Sequence, residues 1–148
     1  MRLAWGLEGP IGNYLSAHFP HLMRPGLEYR PDWAVGFVDD EGRLFGALGL
    51  CFDSPWDGQL SIYSERPQWA TRAVLRHLFR LAFVERGLVR LTCRIERRNR
   101  HARLLVERLG FRLEGVMRMA FDGVNDACIY GMTRDGCRWL KETKDAVA

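Results

Sequence analysis

A chain of 148 residues with 47% hydrophobic, 27% charged and 11% aromatic residues has the proportions of one globular domain, which excludes disordered, collagen-like and low-complexity classes. Its net charge of +4 is mild for a nucleic-acid binder, and no apolar run approaches the ~20 residues needed to cross a bilayer. Met1–Pro10 carries no apolar stretch of the secretory-signal kind, so one domain over 1–148 and a cytoplasmic location are expected.

In chain order, apolar residues at 11, 14, 15 and 19 give the segment 11–19 the 3.6-residue period of a short helix. Pro20, Pro25, Gly26 and Pro31 then mark a loop. Strands are predicted at 33–38, 44–52 and 59–65, joined by the turns 39–42 and 53–58. A helix follows, with Trp69, Ala73, Leu75, Leu78, Phe79, Ala82 and Phe83 on one broad face and Gly87 as its stop. The segment 88–96 reads as a strand with Val89, Leu91, Cys93 and Ile95 on one side. The segment 100–109 reads as an amphipathic helix stopped by Gly110. The last hairpin has arms 111–120 and 127–134 around Asp122-Gly123. The order α, β-β-β, α, β, α, β-β predicts an α/β fold, one mixed sheet with a strand–helix–strand–helix unit at its centre.

Cys51, Cys93, Cys128 and Cys137 show no C-x-x-C pair, and no histidine stands at ligand spacing, so free thiols packed in strands and no metal site are expected. Residues 94–112 hold seven arginines against two acids, a candidate polyanion surface or a solvated helix face.

Two segments carry chemistry. At the start of the second predicted helix, Arg66-Pro67-Gln68-Trp69-Ala70-Thr71-Arg72-Ala73 combines small residues with arginines. Free N–H groups at a helix N-terminus hold phosphates. Further on, Asn99-Arg-His-Ala102-Arg-Leu-Leu105-Val106-Glu107-Arg-Leu109-Gly110-Phe111-Arg-Leu-Glu114-Gly115, followed by Arg118, Gly123, Asp126 and Tyr130-Gly131-Met132, resembles the C-terminal half of GCN5-related N-acetyltransferases (GNATs). The nearest branch in this resemblance is the one acting on ribosomal-protein N-termini. The closing Gly131–Leu140 looks like the tail of short phage-encoded members.

The resemblance implies acetyl-coenzyme A as co-substrate, seated where the strands 59–65 and 88–96 splay apart, and a primary amine as acceptor. It implies that Gln68, Trp69, Ala70, Thr71, Arg72 and Ala73 form the pyrophosphate loop, with Thr71 where glycine is usual. Asn99 is expected to meet the pantetheine arm, with a plain helix N-cap as the alternative. One of Arg98, Arg100 and Arg103 is expected to meet a 3′-phosphate. The family's usual acids are a tyrosine at the position of Val106 and, in some relatives, a serine at that of Ala102. Both hydroxyls are missing here. Tyr63 and Tyr130 are the candidate substitutes, each reading also as a sheet tyrosine, and Glu65 is the candidate base. The acceptor pocket is expected between 11–31 and the final hairpin, with Tyr14, Phe19, Tyr29, Trp33 and Trp56 as candidate lining. The competing expectation is a fold kept without catalysis, as a binding or virion-associated protein. Nucleic acid is not expected as the primary partner, no membrane association is expected, and oligomeric state is left open.

Overall fold

The computed structural model describes residues 1–19 and 29–141. The predicted loop residues Pro20, Pro25 and Gly26 lie outside them. Among the described residues, seven strands form one sheet in the order β1-β2-β3-β4-β5-β7-β6. They are β1 (Arg2–Trp5), β2 (Trp33–Val38), β3 (Leu44–Phe52), β4 (Asp57–Ser64), β5 (Arg90–Glu96), β6 (Arg112–Met117) and β7 (Ala127–Thr133). The α-helices are α1 (Glu8–His18), α2 (Arg72–Arg80) and α3 (Arg100–Leu109). All neighbouring strands pair antiparallel except β4 and β5, which run parallel. The mixed α/β sheet expected from the pattern is therefore the one observed.

The two faces of the sheet have different partners. Side chains alternate across a strand, so Val35, Phe37, Leu48, Leu50, Leu60, Leu91, Cys93, Cys128 and Tyr130 share one face. They form the main core with Leu75, Leu78, Phe79 and Phe83 from α2 and its extension, and with Val106, Leu109 and Phe111 from α3 and the residues after it. On the other face Ile11 and Leu15 of α1 pack on Ala34 and Ala47. The small residues of β2 and β3 are what let α1 lie close. Gly12 meets the Tyr29 carbonyl, and a Cβ there would stand 2.6 Å from that oxygen.

Several boundaries differ from the sequence expectation. β1 was not expected; four residues pairing with β2 over Arg2↔Val38 to Trp5↔Val35 form the sheet edge. β4 starts at Asp57 because its parallel ladder with β5 begins there. α1 begins at Glu8, whose carboxylate sits in the first turn, where the helix dipole favours it. Trp69 precedes α2 in a single 3-10 turn, Pro67–Trp69. α2 ends at Arg80, and a five-residue π turn, Leu81–Glu85, carries the apolar face on to the left-handed Gly87. Val89 is 50% exposed and lies before β5, so it does not share the buried row of Leu91, Cys93 and Ile95. The hairpin arms are shorter than the apolar pattern suggested. Asp122 accepts from the Val124 and Asn125 N–H groups, which folds 118–126 into a wide connection. All four thiols are free, and Cys137 lies outside the strands.

Candidate active site

The β4–β5 ladder is three residue pairs long, Asp57↔Arg90, Gly58↔Leu91 and Gln59↔Thr92. Beyond it the strands part. The facing N–H and C=O groups of 60–64 and 93–96 have no ladder partner across the gap, so a bound chain with amides of its own can satisfy them. The slit is open to solvent. Leu60, Ser61 and Ile62 form one wall and Cys93, Arg94, Ile95 and Glu96 the other. Asn99, Ala102, Leu105 and Val106 rim it on the α3 side, and Phe19 and Phe121 also contribute.

The chain path places two helix starts beside this gap. β4 and β5 are parallel, and α2 and α3 follow their C-terminal ends, so both helix N-termini lie at the splayed end of the sheet. Ligands in open α/β sheets gather at that end for the same reason. Thr71 is the N-cap of α2: its Oγ1 accepts from Val74 N–H at 3.2 Å and its carbonyl from Leu75 N–H at 2.9 Å. The Arg72 and Ala73 N–H groups, first in the helix, face outward. Asn99 is the N-cap of α3, its Oδ1 accepting from Ala102 N–H at 3.1 Å. It also lines the slit, so the capping side chain stands at the edge of the gap. Arg72, Arg98 and Arg100 are exposed around these two starts.

The other sequence-predicted residues divide. Gln68 is exposed in the 3-10 turn and Ala70 is half-buried at its end. The Trp69 side chain is 3% exposed and stacks on Phe37 at 5.0 Å, so it packs in the core and only its backbone can serve the loop. Arg103 donates through Nε to the Tyr130 hydroxyl at 3.0 Å and through Nη1 to the Arg97 carbonyl at 3.0 Å, internal bonds that leave little for a phosphate. Tyr130 is fully buried and donates to Glu107 Oε1 at 2.7 Å, outside the slit lining. Burial raises its hydroxyl pKa above the ordinary tyrosine value. Tyr63 lies on the α1 face, stacked on His18 with centroids 3.8 Å apart. Glu65 is exposed, accepts from the Tyr14 hydroxyl at 3.3 Å, and does not line the slit. Burial, then the Glu65 charge, holds the Tyr14 hydroxyl above its usual pKa.

Of the aromatics expected around the acceptor, Tyr14, Phe19 and Tyr29 belong to the α1 side. Trp33 packs on the opposite face with the main core, its ring 5.1 Å from that of Trp5, and Trp56 is 63% exposed in the turn at the other end of β4. Of the arginine run, Arg97 pairs with Asp126 at 3.3 Å and half-buried Arg103 bonds to Tyr130, while Arg94, Arg98, Arg100, Arg108 and Arg112 are exposed.

The slit also contains residues that sequence reading passed over. Glu96 is a partly exposed carboxylate in the slit wall. Ser61 brings a hydroxyl to the facing wall. Cys93 brings a thiol whose pKa burial raises, so it stays protonated and inert. The signal was available: if a ligand lies between 59–65 and 88–96, polar residues within those strands are the first candidates. Val106 and Ala102 both line the slit, so the α3 wall is apolar at both positions.

The sequence matches no protein-family model and no curated protein sequence. Solved structures do resemble the chain. A point variant of the spermidine N-acetyltransferase of Vibrio cholerae superposes with a TM-score of 0.70 at 14% identity, over 95% of this chain and 98% of that one. A candidate acetyltransferase from Acinetobacter baylyi gives 0.67 at 20% identity, over 97% of each chain. A GNAT-family acetyltransferase from Bacillus anthracis gives 0.57 at 15% identity, over 69% of this chain and 66% of that one. The fold is that of the GNAT acetyltransferases.

Proposed function

We propose that the protein is a GNAT-type acyltransferase that moves an acetyl group from acetyl-coenzyme A to a primary amine, such as a protein N-terminus or a small amine, in the cytoplasm. The observation that carries this reading is the β4–β5 slit with two helix N-termini at its open end. An extended pantetheine arm fits a gap between unpaired strand edges, and a pyrophosphate fits N–H groups beside Arg72. Acetyl-coenzyme A, when bound, supplies an activated thioester carbonyl.

The chain's own residues do the rest. The free edges of β4 and β5 align the bound arm, and alignment of two substrates accounts for up to about 7–11 kcal/mol of such barriers. Asn99 orients the arm at the slit rim. Glu96, the carboxylate inside the slit, takes the proton from the incoming ammonium, directly or through water. Glu65 stays at the α1 side, bonded to Tyr14. With Ala102 and Val106 on the α3 wall, the leaving thiolate is protonated by solvent, which makes turnover slow.

The apolar α3 wall also favours a second reading, a GNAT fold that binds acetyl-coenzyme A or a partner without turnover. Thiol release from acetyl-coenzyme A, followed with spermidine and with short peptides bearing free N-termini, separates the two. Amine-dependent release supports the transferase. Binding of acetyl-coenzyme A without release supports the second reading, and no binding overturns the transferase.

A further inference from the structure

A polar network crosses the sheet at the point where the slit begins. On the α1 face, Thr92 Oγ1 donates to Asp57 Oδ1 at 2.9 Å, joining β5 to β4. Arg90 donates to Thr92 Oγ1 through Nε at 3.2 Å and Nη2 at 3.0 Å, and its Nε lies 3.5 Å from Asp57 Oδ1. Arg90 Nη2 also reaches Glu114 Oε1 on β6 at 2.7 Å. Glu114 gets there because β6 bulges between Leu113 and Gly115. The turned-out side chain crosses β7 at Gly131, where any Cβ would strike the carboxylate. One guanidinium thus bridges two carboxylates and ties β4, β5 and β6 together across β7.

The position of the network matters more than its energy. Exposed ion pairs are worth little, and Arg90 and Glu114 are both partly exposed. Thr92, however, is only 6% exposed and forms the last rung of the parallel ladder. Past that rung β4 runs on for Leu60–Ser64, about 16 Å of strand at about 3.3 Å per residue. A small rotation at the rung moves the far walls of the slit by ångströms.

We infer that the Asp57–Arg90–Thr92–Glu114 network sets the width of the β4–β5 slit, with Arg90 as a positioning residue for the substrate that enters it. The link to substrate rests on the proposed function; the link to slit geometry does not. Two measurements on the full chain keep them apart. Amide hydrogen exchange without ligand is compared between wild type, Arg90→Met and the milder Glu114→Gln. Exchange in 60–64 and 93–96 is expected to rise about fivefold or more, with β2 and β3 unchanged. Acetyl-coenzyme A affinity, by calorimetry, is expected to fall about tenfold in the same variants. Folded variants with unaltered exchange at the slit would overturn the inference. Faster exchange with unaltered affinity would overturn the substrate-positioning role. A wild type that does not bind acetyl-coenzyme A would refute the proposed function, and the exchange result would still decide the geometry. If Arg90→Met does not fold, Glu114→Gln carries both readings.

Discussion

Tyr130 on β7 donates its hydroxyl to Glu107 on α3 at 2.7 Å, and Arg103, one turn earlier on that helix, donates back to the same oxygen at 3.0 Å. This three-residue latch fixes α3 to the sheet beside the slit. Its hydroxyl serves structure, so Tyr130→Phe is expected to cost about 1 kcal/mol of stability and to leave acetyl transfer unchanged. Chemical denaturation and a rate assay on the same protein check both parts.

The tyrosines also predict a pH dependence. Burial is the main cause holding the Tyr14, Tyr29 and Tyr130 hydroxyls above their ordinary pKa. A group raised in the native state favours folding fully below its unfolded pKa, about 10 for tyrosine, and loses that contribution as pH climbs through the native value. Melting temperature is therefore expected to fall above about pH 10, less steeply in Tyr130→Phe than in wild type. A melting temperature that stays flat well above that pH would contradict the burial of these rings.

Thr71 replaces the loop glycine usual in the resemblance, and in the folded chain its hydroxyl caps α2 by accepting from Val74 N–H. Thr71→Ala is expected to lower stability by about 1 kcal/mol, and Thr71→Gly by a few tenths. Equal losses in the two variants would show that the cap contributes nothing.

Much of the sheet was legible because its core strands are either alternating or continuously apolar. Leu91, Cys93, Leu109 and Phe111 are buried as their spacing requires, whereas Leu105, expected inward with them, is only partly buried and lines the slit; Phe111 packs against Phe79 with centroids 6.4 Å apart. Phe111→Ala is accordingly expected to cost about 3–5 kcal/mol in denaturant unfolding. β1 escaped because four residues are too few to show a period. The π turn at Leu81–Glu85 escaped because its apolar face continues that of α2.

The site was less legible, since its roles depend on tertiary neighbours. Trp69, placed in the phosphate loop by motif, turns its ring into the core against Phe37. Arg103 and Tyr130, taken separately as ligand and acid, bond to each other. Glu96 became a candidate only when the strands were seen to part and leave it in the wall.

Val106 lines the α3 wall beside Ala102 and Leu105, which bring no hydroxyl to that side of the slit. Val106→Tyr is expected to raise turnover with a good amine acceptor toward the roughly 10²-fold that a placed general acid supplies. Glu96→Gln is expected to lower the rate and to move the pH–rate profile upward, because more amine must then arrive already neutral. A profile identical to that of wild type would remove Glu96 as the base.

Every role proposed for the site depends on acetyl-coenzyme A entering the gap between β4 and β5. Isothermal titration of acetyl-coenzyme A into wild type and into Ala102→Trp probes that entry, since Ala102 stands at the slit rim and caps nothing with its side chain. One-to-one binding is expected for wild type, with its loss in a folded Ala102→Trp, whose indole fills the entrance. Absence of binding to wild type, or equal binding to both proteins, would contradict entry into the slit.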